Sequence, residues 1–169
     1  MPRGEAEALG ALAARNLIAG AGNALAVIRV GQGELRQALE AAGCEVLEAP
    51  QAERGMGASL AAAVAASPAA SGWIVALGDM PSIRVSTIGA VKEALENGAR
   101  IAAPVHCVTF ARGHPVGFAA ALRDEILALQ GDEGARSILA RHADGLVAVP
   151  VDDAGIFVDI DKPEDLGNL

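Results

Sequence analysis

The sequence predicts an α/β domain built as a mostly parallel sheet with helices on both faces, and three observations predict it. Apolar segments alternate as helix, strand, helix, strand, the pattern of parallel strands joined by crossover helices. Trp73-Ile74-Val75-Ala76-Leu77 is an unbroken apolar run, as expected of a strand buried on both faces. A chain of 169 residues, 52% hydrophobic and 20% charged, holds one domain with a substantial core and is not disordered.

The elements follow in order. Glu5 to Ala21 is rich in Ala and Leu, with Leu9, Leu12, Ala13, Leu17 and Ile18 on helical spacing and Gly20 and Gly22 at its end. Ala24 to Val30 reads as a strand closed by the turn Gly31-Gln32-Gly33. Leu35 to Ala42 is a second helix ended by Gly43, and Glu45-Val46-Leu47 a short strand. Gly55-Met56-Gly57 then leads into an Ala-rich helix. After the Trp73 strand, Val85, Ile88, Val91 and Leu95 share one helical face, which Gly98 stops. Ile101 to Val105 is a strand, and Phe110 to Phe118 reads as a hairpin or excursion with Arg112 and His114 at its tip. Helices are expected over Leu122 to Gln130 and through Leu139, and late strands at Val147 to Val151 and Phe157-Val158. A last helix starts near Pro163.

Composition narrows the function. The net charge is -8, with 21 acids against 13 bases, so a non-specific nucleic-acid surface is not expected, since that would need Lys and Arg against phosphates. Aromatic residues make up 2%, too few for the stacking platforms of single-strand binders. No apolar run has membrane-spanning length and the amino terminus lacks the order of a signal peptide, so a soluble, cytoplasmic protein is expected. Cys44 and Cys107 form no CxxC pair and read as buried thiols.

Five places carry candidate chemistry. Gly78 breaks the Trp73 strand, Asp79 follows, and Pro81 prevents its continuation, so a carboxylate sits at the carboxyl end of a strand. Ligands of open α/β sheets bind at that edge, although an Asp there also serves as a turn cap. Gly55 and Gly57 before a helix either let the backbone approach a ligand, with first-turn amides as donors, or form a tight loop. The segment is neither a Walker loop nor GxGxxG. Arg112 and His114 either hold a phosphate or are solvated in a turn, and Asp132 and Arg136 suit a helix cap and an ion-pair partner. Asp159 and Asp161 alternate to one side of a strand end. If they meet Asp79, the converging carboxylates require a cation, and hard oxygen ligands favour Mg²⁺ or Mn²⁺.

Gly55-Met56-Gly57-Ala58-Ser59-Leu60, Leu77-Gly78-Asp79-Met80-Pro81, Arg112-Gly113-His114-Pro115-Val116, Gly131-Asp132-Glu133-Gly134-Ala135-Arg136 and Asp159-Ile160-Asp161-Lys162-Pro163-Glu164-Asp165 stand in one order over residues 9–169. In that order and spacing the chain resembles the MobA-like nucleotidyltransferases, in particular the branch of molybdenum cofactor cytidylyltransferases. The resemblance implies a single domain over 1–169 with a three-layer, Rossmann-like nucleotide-diphospho-sugar transferase fold. It implies transfer of CMP, or less readily GMP, from an NTP to a molybdopterin-type acceptor with release of pyrophosphate. Asp79 and Asp159 would then be the catalytic, metal-binding acids. Gly55, Met56, Gly57, Ser59 and Gly78 would lie on the nucleotide, CTP being favoured, and Arg112, His114, Asp132 and Arg136 on the acceptor. A molybdoenzyme is a conceivable partner and a homodimer a conceivable state.

The sequence departs from the family at its start. The family opens with a strand and a Gly-rich loop of the type LAAGxSxRMGxxK, and the first helix here corresponds to the helix after that loop. Either an amino-terminal segment lies outside this sequence or the chain is a degenerate relative, and triphosphate binding is expected to be weak and turnover poor. An unpaired sheet edge is expected where that strand would lie. Two other readings stay open, a molybdenum-cofactor-binding or chaperone-like relative and a transferase for another phosphorylated acceptor.

Overall fold

The computed structural model describes residues 3–160. The chain runs α1 (Arg3–Ala21), β1 (Leu25–Ile28), α2 (Gly33–Ala41), β2 (Glu45–Glu48), α3 (Met56–Ala66) and β3 (Gly72–Val75). It continues with α4 (Val85–Glu96), β4 (Ile101–His106), β5 (Val116–Ala119), α5 (Arg123–Leu127), α6 (Arg136–Arg141) and β6 (Leu146–Val151). Short 3₁₀ turns join them, among them Pro50–Arg54, Gly131–Glu133 and Ala154–Phe157. The helix expected from Pro163, and Asp161 before it, lie outside the described residues.

Glycines end the helices where the backbone must turn left-handed. At Gly43 (φ 90°) and Gly98 (φ 97°) the next amide reaches back inside the helix, from Cys44 to the Leu39 carbonyl and from Ala99 to the Ala94 carbonyl. Only glycine takes that conformation without a Cβ penalty, and the turn satisfies carbonyls the helix leaves over.

The layers are as expected and the sheet is not. β1 pairs with β2 in parallel, and a separate four-stranded sheet has the order β3-β5-β4-β6. In it β5 is antiparallel to both β3 and β4, and only β4 and β6 are parallel. The mostly parallel sheet is therefore corrected to a mixed one. The physical cause is the excursion after β4, which reverses the chain without a crossover helix and returns β5 between β3 and β4. β3 pairs on one side alone among the described residues, and Gly72 to Val75 are half-buried rather than covered on both faces.

Alternation along β3 assigns the faces. Trp73 and Val75 join fully buried Phe118, Ile101, Leu122 and Ile126 beneath α3, α5 and α6. Ile74 faces the other way, toward Met80, Ile83 and Ile88 with Leu17 and Ala21 of α1. A third cluster, Ala14, Ile28, Leu39 and Cys44, seats α1 and α2 on the β1-β2 pair. Helix α1 thus packs on both sheets. Gly20 makes that closeness possible, because a Cβ there would come within 2.6 Å of the Ile88 Cβ in α4.

Three smaller expectations also change. Phe157-Val158 is not a strand, since Ala154–Phe157 closes a 3₁₀ turn in which the Asp153 carboxylate accepts the Gly155 amide. The tip of the excursion is Cys107 to Phe110, and Arg112 lies on the returning arm, bridged to Val105. Cys107 is exposed at that tip, whereas Cys44 is buried.

Candidate active site

One edge of the four-stranded sheet collects most of the chemistry. Val75 ends β3 opposite Val116, which begins β5, and His106 ends β4 opposite Val151, which ends β6. The segments 76–84, 107–115 and 152–160 therefore emerge side by side. They are tied by backbone hydrogen bonds. The Ile160 amide donates to the Asp79 carbonyl (2.9 Å), the His114 amide to the Ile156 carbonyl (3.1 Å), and the Gly113 amide to the Pro104 carbonyl (3.0 Å). From α1, the Asn16 side-chain amide donates to the Pro81 carbonyl (2.8 Å) and the Ile83 carbonyl (3.3 Å), fixing the loop after Asp79 from the helical layer.

His114 feels the charge of Asp79. Burial pushes the His114 imidazole below its ordinary pKa, the Asp79 carboxylate and the Val75 carbonyl act to hold its proton, and the Arg112 guanidinium acts against it. The ring's Nδ1 is shielded from solvent and has no hydrogen-bond partner among the described residues, and Oδ1 of Asp79 is likewise shielded. Arg112 is exposed. Asp159 is exposed one residue before the amide that binds the Asp79 carbonyl, and its neighbour Ile160 is buried, so the alternation anchors the segment and leaves the acid outward. Gly78 is exposed with open space where a Cβ would point.

A second locus lies beyond the end of β1. A cleft of about 300 Å³ is lined by Val27, Ile28, Arg29, Gln32, Ala52, Gly55, Met56, Ser59 and Asp132. Gly55, Met56, Ser59 and Asp132 thus share one cavity, which groups Asp132 with the glycine loop. The glycines have an immediate steric role. A Cβ on Gly55 would collide with Asp132 and the Gly131 backbone, and one on Gly57 would come 3.0 Å from the Gln130 and Gly131 carbonyls. The backbone at 130–132 therefore presses against the start of α3, and the Ser59 hydroxyl turns back to donate to the Gly55 carbonyl (3.1 Å). Arg136 opens α6 and is exposed.

Sequence reasoning missed Arg29, read as part of a strand, and Gln32, read as a turn residue; the Gln32 side chain accepts the Arg29 amide (2.9 Å), and both line the cleft. It also missed Asn16 and Asp153, whose partners are 65 and 69 residues away. No local pattern marks either. His142 pairs with Glu125 (2.9 Å).

No group of three or more His, Cys, Asp or Glu that could hold a metal occurs among the described residues. Asp79 and Asp159 would offer two hard oxygen donors. That suits Mg²⁺ or Mn²⁺, which take one or two carboxylates and fill the remaining positions with phosphate oxygens and water. Half-buried Asp79 and exposed Asp159 are of the donor type such an ion takes.

The three layers with acids at a strand edge define an α/β fold of the nucleotide-diphospho-sugar transferase type. The chain belongs to the MobA-like NTP transferase domain family, whose model matches residues 7–146, and so to the nucleotidyltransferases. Rv0371c from Mycobacterium tuberculosis H37Rv is 25% identical, with a TM-score of 0.76 over 95% of this chain and 81% of that one. The same protein has a structure in complex with manganese (22% identity, TM-score 0.75, 95% and 84% covered). CMP:2-keto-3-deoxy-manno-octonic acid synthetase complexed with CTP shares the fold at 12% identity (TM-score 0.72, 95% and 85% covered). Molybdopterin-guanine dinucleotide biosynthesis protein A from Archaeoglobus fulgidus does so at 20% identity (TM-score 0.53, 85% and 75% covered). No curated protein matches the sequence. No helix among the described residues is long and apolar enough to cross a membrane.

Proposed function

We propose that this chain transfers a nucleoside monophosphate, CMP in preference to GMP, from an NTP to a phosphorylated acceptor of the molybdopterin type. An acceptor phosphate oxygen attacks the α-phosphorus, the bond from the α-phosphorus to the bridging oxygen breaks, and pyrophosphate leaves with that oxygen. Such a transfer needs fixed donors and charge neutralisation more than covalent help. The observation that carries the reading is the hydrogen bond from the Ile160 amide to the Asp79 carbonyl, which puts the Asp159 segment beside the Asp79 loop. Asp79 and Asp159 would hold Mg²⁺ or Mn²⁺, which when bound neutralises the phosphate charge. The manganese complex of Rv0371c and the CTP complex of the synthetase support that ion and that nucleotide.

The protein's own residues divide the remaining work. The cleft of Gly55, Met56, Ser59 and Asp132 would receive the nucleoside end, with Arg29 the one basic residue on its wall among the described residues. Arg112 would bind the acceptor phosphate through its forked donors. His114, held toward the neutral form by burial, would offer a hydrogen bond without adding charge beside Asp79. The test is Mg²⁺-dependent transfer of label from α-labelled CTP to molybdopterin, which is expected to be slow but measurable and lost in Asp79→Ala. Transfer at the same rate by both proteins would refute the assignment of Asp79.

A second reading has one observation in its favour: among the described residues a single cation lines the cleft, a sparse grip for a triphosphate. A molybdenum-cofactor-binding partner of a molybdoenzyme would bind the acceptor without turning over any NTP.

A further inference from the structure

The 152–160 segment has one buried ionic anchor, the Asp153 carboxylate, and the Proposed function gives that anchor no part. Asp153 is 3% exposed and its carboxylate meets donors from two elements. Oδ2 accepts from the Arg84 amide (2.9 Å) and the Thr87 hydroxyl (2.6 Å), both at the start of α4, and Oδ1 accepts from the Gly155 amide (3.0 Å) in its own turn. The Arg84 guanidinium adds a contact at 3.9 Å to Oδ1 and donates to the Asp152 carbonyl (2.6 Å). Helix α4 has no cap of its own, since Arg84 makes no side-chain cap hydrogen bond. A remote carboxylate therefore caps it, at the end favoured for negative charge.

The cap welds two segments that carry the candidate chemistry. Upstream of Arg84 is the loop of Gly78, Asp79 and Pro81. Downstream of Asp153 are the Ile156 carbonyl, which receives the His114 amide, and the Ile160 amide, which binds the Asp79 carbonyl. The fit is tight, for a Cβ on Gly155 would collide with the Ser82 carbonyl and one on Gly113 with the Ile156 carbonyl. Neither segment has a strand of its own at this point, so register between them is set by these few contacts.

We propose that Asp153 is the positioning residue of the site, fixing the 154–160 turn on the start of α4 so that Asp159 and His114 stand in register with Asp79. It touches no reacting group and acts through the backbone. The metal arm of this inference rests on the reading of Asp79 and Asp159 as metal carboxylates, and the backbone arm does not.

The test measures amide hydrogen exchange and Mn²⁺ binding in the presence of CTP on the whole chain, for the wild type, Asp153→Ala, Thr87→Val, Asp159→Ala and the Asp153→Ala/Asp159→Ala pair. Asp153→Ala is expected to lower protection of the His114 and Ile160 amides at least about tenfold and to leave the amides of β4 unchanged. It is expected to weaken Mn²⁺ binding about tenfold or more, and to weaken it little further once Asp159 is already Ala. Thr87→Val removes one donor, keeps the shape, and is expected to move both readouts the same way by less; it decides the matter if Asp153→Ala does not fold. Unchanged protection at His114 and Ile160, or additive losses in the paired variant, overturns the proposal. If the wild type binds no Mn²⁺ with CTP, the transferase reading fails, and the exchange result alone decides the role of Asp153.

Discussion

His114 stands between opposed influences, and the balance fixes a measurable pH response. Burial is the largest and lowers its pKa, Asp79 and the Val75 carbonyl raise it, and Arg112 lowers it, with a net shift downward from the ordinary value. The unfolded chain therefore holds the proton more readily than the folded one. The stability His114 contributes is present above about pH 6.5 and is lost as the pH falls through that value toward the folded pKa. His114→Gln is expected to show a shallower loss of stability than wild type between about pH 7 and pH 5, read from denaturant midpoints at each pH. An unchanged slope would mean that the imidazole is solvated. The placement of Asp79, His114 and the Gly55 segment at the ends of elements was legible because Gly and Pro punctuate strand and helix ends in a way that survives in one dimension. Asp153 and Asn16 were not, since each acts on backbone more than sixty residues away, and nothing beside them separates such an anchor from an ordinary turn or helix polar residue.

The packing of helix on helix gives a prediction that intrinsic propensity alone would get wrong. Gly20 in α1 faces Ile88 and the Val85 carbonyl of α4, at 2.6 Å and 2.9 Å from where a Cβ would stand. Replacing a helical glycine with alanine favours the helix by about 1 kcal/mol, whereas forcing a methyl into a packed contact costs about 1–3 kcal/mol. Backbone is one of the two neighbours and cannot rotate aside, so the second effect wins. Gly20→Ala is expected to lower stability by about 1–2 kcal/mol in chemical denaturation, and a more stable variant would show that α1 and α4 are not in this contact. Helices and their ends were readable from the sequence because their period and their glycine stops are local. Strand order was not: the four residues of β5 carry no sign of their partners, and the reversal after β4 that makes the sheet mixed depends on where the chain returns. Phe157-Val158 looked like a strand for the same reason, an apolar pair whose actual neighbour is a side-chain-capped turn.

Over the whole molecule, charge sets the terms of binding. At net charge -8 and a sequence pI near 4.8, the domain repels a free triphosphate, and among the described residues Arg29 is the one cation on the cleft wall. CTP is therefore expected not to bind in the presence of EDTA and to bind once Mg²⁺ or Mn²⁺ is supplied; tight metal-free binding would contradict the charge argument. The division into two sheets, both packed against α1, places the cleft beyond β1 and the acid edge beyond β3. The most direct measurement is calorimetric titration of CTP, GTP and ATP in Mg²⁺ into the folded chain and into Asp79→Ala. The account predicts weak binding of CTP in preference to the others, abolished in the variant; no binding of any nucleotide by the folded wild type, or equal binding by the variant, would contradict it.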